Sequence, residues 1–474
     1  MTGRGIAGNR VYPDGTVHTL KRLAALLLTV ALLAAACGGA EADPTTTSRA
    51  ETTTTAGEGS TTTVPDPTTT TDAPTTTAAP PTTSGGEAGD VAAEAASLIE
   101  ATERIRGLRF IVSPEITVLE PDALAERIRA DVAAELDPDE IAVDQRFYEL
   151  LGLLDGSVDL YDALIDLYAE QVIGFYDDDT GELVVSSEAG ITPMTRMVML
   201  HELVHALTDQ HFGFGDVFED LLDAGQYHEA SALQSLIEGD ATYFQIVYLQ
   251  EMSPADQLAV ATEALAADTE VVDSLPGWLS ADLSFPYDTG FSFVSRLVAD
   301  GGIAAVDQAY RLVPETVEQV IHPEKYYSLE PARDVTLTTP TLTGYEVAEE
   351  GAFGEWNLQL YLEELLGGGP AAIASAGWGG DDYRLFSSAT EVAFAYRYQG
   401  DTPRDAEELA DALVDAVAEG MAVGNGQVGE DSTTFSGDDY AFVQRVGADV
   451  LFVAASDPTA GTALVESLRL PPGD

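Results

Sequence analysis

The chain has 474 residues, 81 acidic against 21 basic side chains, a formal charge of −60 and one cysteine. Such an anionic surface excludes binding of nucleic acid or anionic lipid by the folded part, since both would be repelled. A lone cysteine excludes an intrachain disulfide, so the fold must rest on its apolar core, and the length suffices for one large or two medium domains.

Residues 1–22 are polar and end in Lys21-Arg22; Leu23 to Ala36 is apolar apart from Thr29, and Cys37 follows. Residues 1–37 therefore read as a secretory signal whose apolar run is too short for a comfortable membrane span. The cysteine at its end resembles the lipobox of bacterial lipoproteins. That resemblance implies lipid on Cys37 and anchorage to the outer face of the cytoplasmic membrane, with no other membrane contact. Residues 38–90 are rich in threonine, proline and small residues, which cannot bury a core and predict a disordered tether. Its roughly 50 flexible residues would span about 40 Å.

The folded part is expected to be α+β. Helical periodicity predicts helices over 91–106, 122–136, 141–154 and 160–171, with a short strand at 108–112. In 172–187 two apolar runs flank Asp179-Thr180-Gly181, which predicts a β-hairpin. Thr192-Pro193 then opens a strongly apolar helix, threonine suiting the cap and proline the first helical position, and Gly213 lies beyond its end.

At the centre of that helix stands His201-Glu202-Leu203-Val204-His205, an H-E-x-x-H motif. Four-residue spacing puts both imidazoles on one helix face, where they can share a metal ion. The glutamate between them is placed to deprotonate a water beside that ion. A catalytic zinc takes three protein ligands and leaves one position open. The next helical pattern, 227–252, offers Glu238 and Glu229. They are half a turn out of phase, so only one can face the metal. Glu238 is favoured, because its neighbour Gly239 would let the two helices approach closely.

The stretches HELVHALTDQHF and SLIEGDATYF resemble the gluzincin metallopeptidases, in which a glutamate on a downstream helix completes the H-E-x-x-H site. More narrowly they are similar to a group of bacterial zinc-peptidase-like proteins with H-E-x-x-H-A-L-x-D-Q-H-F followed by E-G-D-A. The segments FPYDTGFSFVSRL (285–297), EQVIHPEKY (318–326) and GWGGDDY (377–383) fit the same group. The resemblance implies a mainly helical zincin-like domain with a small sheet, one Zn2+ per chain, His201, His205 and Glu238 as ligands, and Glu202 as base. It also implies a sheet edge beside the motif helix that binds an extended peptide.

An aspartate four residues after the ligand glutamate orients a histidine in the thermolysin-like pattern; here that position is Thr242. Asp240 and Asp209 are the alternatives. Tyr287, at the start of a helical run, and His322, before Pro323 in a turn or loop, are candidates for donating to an oxyanion.

The domain carrying these residues is expected over 91–335, with a connector at 331–340. Residues 341–474 are expected to form a smaller α+β domain. Its strands fall at 384–386, 392–398, 440–446 and 450–454, its helices at 404–422 and 461–468, and a hairpin closes at Gly447. The expected function is a zinc-dependent peptidase, an endopeptidase, acting on peptide or protein substrates at the bacterial cell surface. Its rivals are a metal-dependent hydrolase of other amides or esters, and a tethered binding or scaffold lipoprotein without activity. The intact Glu202 counts against the scaffold.

Overall fold

The computed structural model describes residues 87–472 apart from 178–179, 188–189 and 268–269. The expected signal segment, Cys37 and the expected tether up to residue 86 lie outside the described residues. The first helix, α1 (Glu87–Arg106), ends at Gly107 in a left-handed conformation. The strand expected at 108–112 is not formed. The backbone N–H groups of Ile111 and Val112 donate to Gln210 Oε1 at 2.9 and 3.1 Å, which removes them from any ladder. Strand β1 (Glu115–Leu119) begins instead just after Pro114.

Helices α2 (Pro121–Glu135), α3 (Pro138–Leu151) and α4 (Leu160–Gln171) follow. Asp137 and Asp159 cap α3 and α4 by accepting from backbone N–H groups, the usual way a short acidic side chain starts a helix. The expected hairpin is present as β2 (Gly174–Asp177) and β3 (Glu182–Ser186). β3 pairs with β2 antiparallel and with β1 in parallel, so the order is β1-β3-β2 and β2 forms an edge.

Next come α5 (Pro193–Phe212), α6 (Phe214–Asp223), α7 (Tyr227–Glu251), α8 (Pro254–Ala266), α9 (Glu270–Ser274), α10 (Gly277–Gly301), α11 (Ile303–Ala309), α12 (Val317–Ile321) and α13 (Pro323–Ser328). Two sequence expectations change here. Tyr287 lies inside α10, not at its start, because the helix runs through Pro286. Pro323 opens α13, occupying the first helical position that proline tolerates, with His322 as the capping residue. Among the described residues no helix is long and apolar enough to cross a membrane.

Residues 331–342 form an irregular connector. Beyond it lie β4 (Glu346–Gly351), α14 (Gly354–Leu366), α15 (Gly368–Ser375), β5 (Trp378–Ser387), β6 (Val392–Gly400), α16 (Pro403–Gly420), β7 (Gln427–Val428), β8 (Ser432–Ser436), β9 (Tyr440–Val446), β10 (Asp449–Ala455) and α17 (Pro458–Leu468). The seven strands make one antiparallel sheet, ordered β4-β5-β6-β10-β9-β8-β7. The protein is thus a mixed α+β structure with its large sheet in the C-terminal region.

Alternation along the central strands gives that sheet two buried faces. Phe394, Tyr396, Tyr398 and Phe452 point into a core that includes α3, α4 and α14 to α16. Ala393, Ala395, Leu451 and Val453 point to the other side, under α17. The first core crosses the connector. Phe147 of α3 packs against Phe394 of β6, their ring centroids 4.9 Å apart, so the N-terminal helices and the C-terminal sheet share one apolar interior.

Candidate metal centre

Thr192 caps α5 by accepting from the Thr195 N–H, Pro193 fills the first turn, and Gly213 ends the helix in a left-handed conformation. Between these signals Met197 to Thr208 are all buried. His201 and His205 stand one turn apart on this helix, their ring centroids 4.6 Å apart. Helix α7 packs against α5 through Ala241 and Phe244, which share a cluster with Leu200, Leu203 and Val204. The Gln245 side chain adds a bond of 3.1 Å to the Met197 carbonyl.

This packing brings Glu238 to the two histidines. Glu238 Oε2 lies 3.1 Å from His201 Nε2 and 3.5 Å from His205 Nε2, and all three side chains are buried. Glu229, nine residues earlier, is half-buried, with Gln226 Nε2 3.5 Å from its Oε1, and takes no part. The three ligand atoms fit a single ion. Ligands about 2.1 Å from a tetrahedral zinc stand about 3.4 Å from one another, matching the observed separations. His205 Nε2 and Glu238 Oε1 are buried and find no hydrogen-bond partner among the described residues, an unfavourable state that a cation would relieve. Burial alone would raise the Glu238 carboxyl. The facing imidazoles of His205 and His201 outweigh it and hold the group down at about 2. Burial lowers the proton affinity of His201, which keeps the neutral imidazole a ligand requires.

Glu202 is fully buried, and its carboxylate accepts from the Tyr176 backbone N–H on β2. Burial first, and then the charge of Glu238, push its carboxyl well above the usual carboxylate range. A carboxyl of raised proton affinity therefore stands on the helix of the two histidines, joined to the edge strand.

Asp240 is fully buried and binds Arg106 Nε and the Tyr310 hydroxyl, each at 3.1 Å, while Arg106 also reaches Asp307 at 2.7 Å. Burial raises the Asp240 carboxyl, opposed by Arg106 and by His205. Asp209 accepts from the Gly215 N–H at 3.1 Å and lies 3.4 Å from the Tyr176 hydroxyl, so it fastens the end of α5 to β2. The Tyr287 ring lies 6.3 Å from that of His201. His322 pairs instead with Glu355, Nε2 to Oε1 at 2.9 Å, within a separate cluster formed by Glu318, Lys325 and Asp401.

Sequence reading missed Arg106, Tyr310 and the Tyr176 N–H. Arg106 ends an ordinary helix and Tyr310 follows a short one, with no spacing that ties either to the motif. Only an arginine that proves to be fully buried reveals the link.

The fold and site thus define an α+β protein with a buried His–His–Glu group able to hold a metal ion. Residues 342–465 match a family model described as a domain of unknown function, DUF8575. No curated protein matches the chain. One solved structure is similar, "a putative hydrolase with a novel fold" from Chloroflexus aurantiacus. It is 18% identical, with a TM-score of 0.33, over 53% of this chain and 92% of that one.

Proposed function

We propose that the chain is a zinc-dependent peptidase of the gluzincin type, held by lipid on Cys37 at the outer face of the bacterial cytoplasmic membrane. The observation that carries the reading is the triangle of His201, His205 and Glu238, with Glu202 on the helix of the two histidines. A zinc ion bound there would polarise a carbonyl and acidify an adjacent water. Glu202 takes the water's proton and passes it to the leaving amine, a role suited to a buried carboxylate of raised proton affinity. Tyr287, beside His201, is the proposed donor to the developing oxyanion.

The edge strand supports a peptide as substrate. The Ser186 N–H to Ile173 carbonyl bond and the hairpin register turn Phe175 and Asp177 toward β3. Gly174 and Tyr176 then present their backbone groups to the outer edge, where Tyr176 meets Glu202. The Tyr176 N–H is taken by Glu202, so an extended peptide would pair with the remaining outward groups of that edge and lie beside Glu202, with little demand on its sequence.

The test is to purify the chain, measure bound zinc, and compare cleavage of a mixed peptide library by the native protein and Glu202→Gln. One equivalent of zinc is expected in both, with cleavage only by the native protein. Zinc in both and cleavage by neither would establish a scaffold instead.

A further inference from the structure

The stripe of α7 that ends at Glu238 continues away from the metal centre into a cavity. Gln234, Ser231 and Tyr227 precede Glu238 by four, seven and eleven residues, so they share its face of the helix, and all three line the cavity. The opposite wall is α10, from Trp278 to Pro286, the residue before Tyr287. The cavity holds about 110 Å³, far above the roughly 10–15 Å³ that one water needs. It is room for a side chain.

Its walls are aromatic and its charge is negative. Trp278 packs against Tyr148 with ring centroids 4.6 Å apart, and Phe285 stacks on Trp356 at 4.3 Å. Asp282 stands between these pairs on α10 and accepts from Trp356 Nε1 at 2.9 Å. Neither lysine nor arginine is among the lining residues. His228, also in the lining, accepts the Val317 N–H on Nε2 at 3.3 Å. The hydroxyl of Tyr148 is held well above its ordinary range, by burial first and then by the charges of Asp144, Glu349 and Asp282. Burial alone raises a phenol; the three carboxylates add to it in the same direction.

We propose that this cavity takes a long cationic side chain of the peptide substrate, arginine or lysine, with its stem against the rings and its charge at Asp282. The proposal rests on the peptidase reading of the metal centre. Aromatic faces and a carboxylate together favour an organic cation, through the ring quadrupoles and a charge-assisted hydrogen bond. A formal charge of −60 would draw such a substrate to the protein. Along α7 the cavity lies about 6 to 16 Å from the metal-binding carboxylate. An extended chain rises about 3.3 Å per residue, so the cationic residue sits about two to five positions from the bond that is cut.

Two measurements on the full chain loaded with zinc test this separately from the peptidase reading. In the first, Nα-acetylarginine amide and its neutral isostere Nα-acetylcitrulline amide are titrated into Glu202→Gln by calorimetry. Arginine should bind about ten-fold tighter, and Asp282→Asn, which keeps an acceptor for Trp356, should erase the difference. Equal binding of the two probes, or a preference that survives Asp282→Asn, overturns the proposal. In the second, native protein is offered peptide pairs that differ only by arginine or citrulline two to five residues from the cut. The expected result is a kcat/KM ratio of about ten at one of those positions. Cleavage without such a ratio overturns the cavity's role and leaves the peptidase reading standing. Selective binding of the arginine probe with no peptide cleaved upholds the cavity as a cation site and removes the peptidase reading.

Discussion

Replacing Gly239 by alanine should both destabilise the protein and loosen the metal centre, the reverse of what alanine does in an ordinary helix. In an open helix alanine is favoured over glycine by about 0.5–1 kcal/mol. Here α7 and α10 meet backbone to backbone. A Cβ on Gly239 would lie 2.2 Å from the Gly290 carbonyl oxygen, where ordinary contact begins at 3.4 Å. The opposing atom is main chain and cannot rotate away, so the helices must part by about 1 Å or bend, an overpacking that costs about 1–3 kcal/mol. Glu238 is the adjacent residue and moves with that backbone. Its oxygen sits 3.1 and 3.5 Å from the two histidine nitrogens, a spacing that a 1 Å displacement would spoil. Zinc affinity should fall by about ten- to a hundred-fold, as when the support of a ligand is removed. Urea unfolding of the zinc-free protein reads the first effect and competition with a chelator reads the second. Gly369→Ala is the control, since no atom lies within 4 Å of the added methyl there. If Gly239→Ala proves as stable as Gly369→Ala and holds zinc as tightly as the native protein, the close approach of α7 and α10 supports neither the fold nor Glu238.

Arg106→Met leaves Asp240 buried without its cation and should cost about 3–5 kcal/mol in denaturant unfolding, part of it recovered by adding Asp240→Asn. A loss under about 1 kcal/mol would show the pair to be dispensable. Tyr287→Phe should lower kcat by about a hundred-fold or more with zinc content unchanged, and an unaltered kcat would remove Tyr287 from the mechanism. Burial, against the pull of Lys325, raises the Glu318 carboxyl from 4.5 to about 7. The folded protein then holds that proton more tightly than the unfolded chain does. The stabilisation is complete below about pH 4.5 and is lost as pH rises through about 7. The melting temperature of Glu318→Gln should therefore gain on the native protein between about pH 5 and 8. A gap that stays constant over that range would refute it.

The metal centre was legible where it obeys local rules. The Thr192 cap, Pro193 and Gly213 bound a helix whose period carries both histidines, and phase lets only one of Glu238 and Glu229 face them. Legibility ended where a contact depends on distant segments. Gly239 was read as admitting α5, yet its missing side chain admits α10, because the matching glycine is Gly290, 51 positions along the chain. His322 carries no sign in its own segment that Glu355 will claim it. The expected strand at 108–112 has the right composition, but Gln210 takes its N–H groups before a partner strand can.

The C-terminal region offers no ligand spacing, but its geometry connects it to the site. Within GWGGDDY, Asp381 is buried and accepts from Trp378 Nε1, the Tyr396 hydroxyl and the N–H groups of Phe353 and Gly354. The last two are unpaired donors at the start of α14, so Asp381 fixes where that helix begins. Two residues into the helix, Trp356 stacks on Phe285 of α10 and donates to Asp282. Glu355, beside it, holds His322. The segment GWGGDDY thus bears on α10 by packing and hydrogen bonding relayed through α14. Through α14 it sets one wall of the cavity that α7 and α10 line. Asp381→Ala should therefore disturb the cavity through Trp356 and leave the His201, His205 and Glu238 triangle, built by α5 and α7, in place.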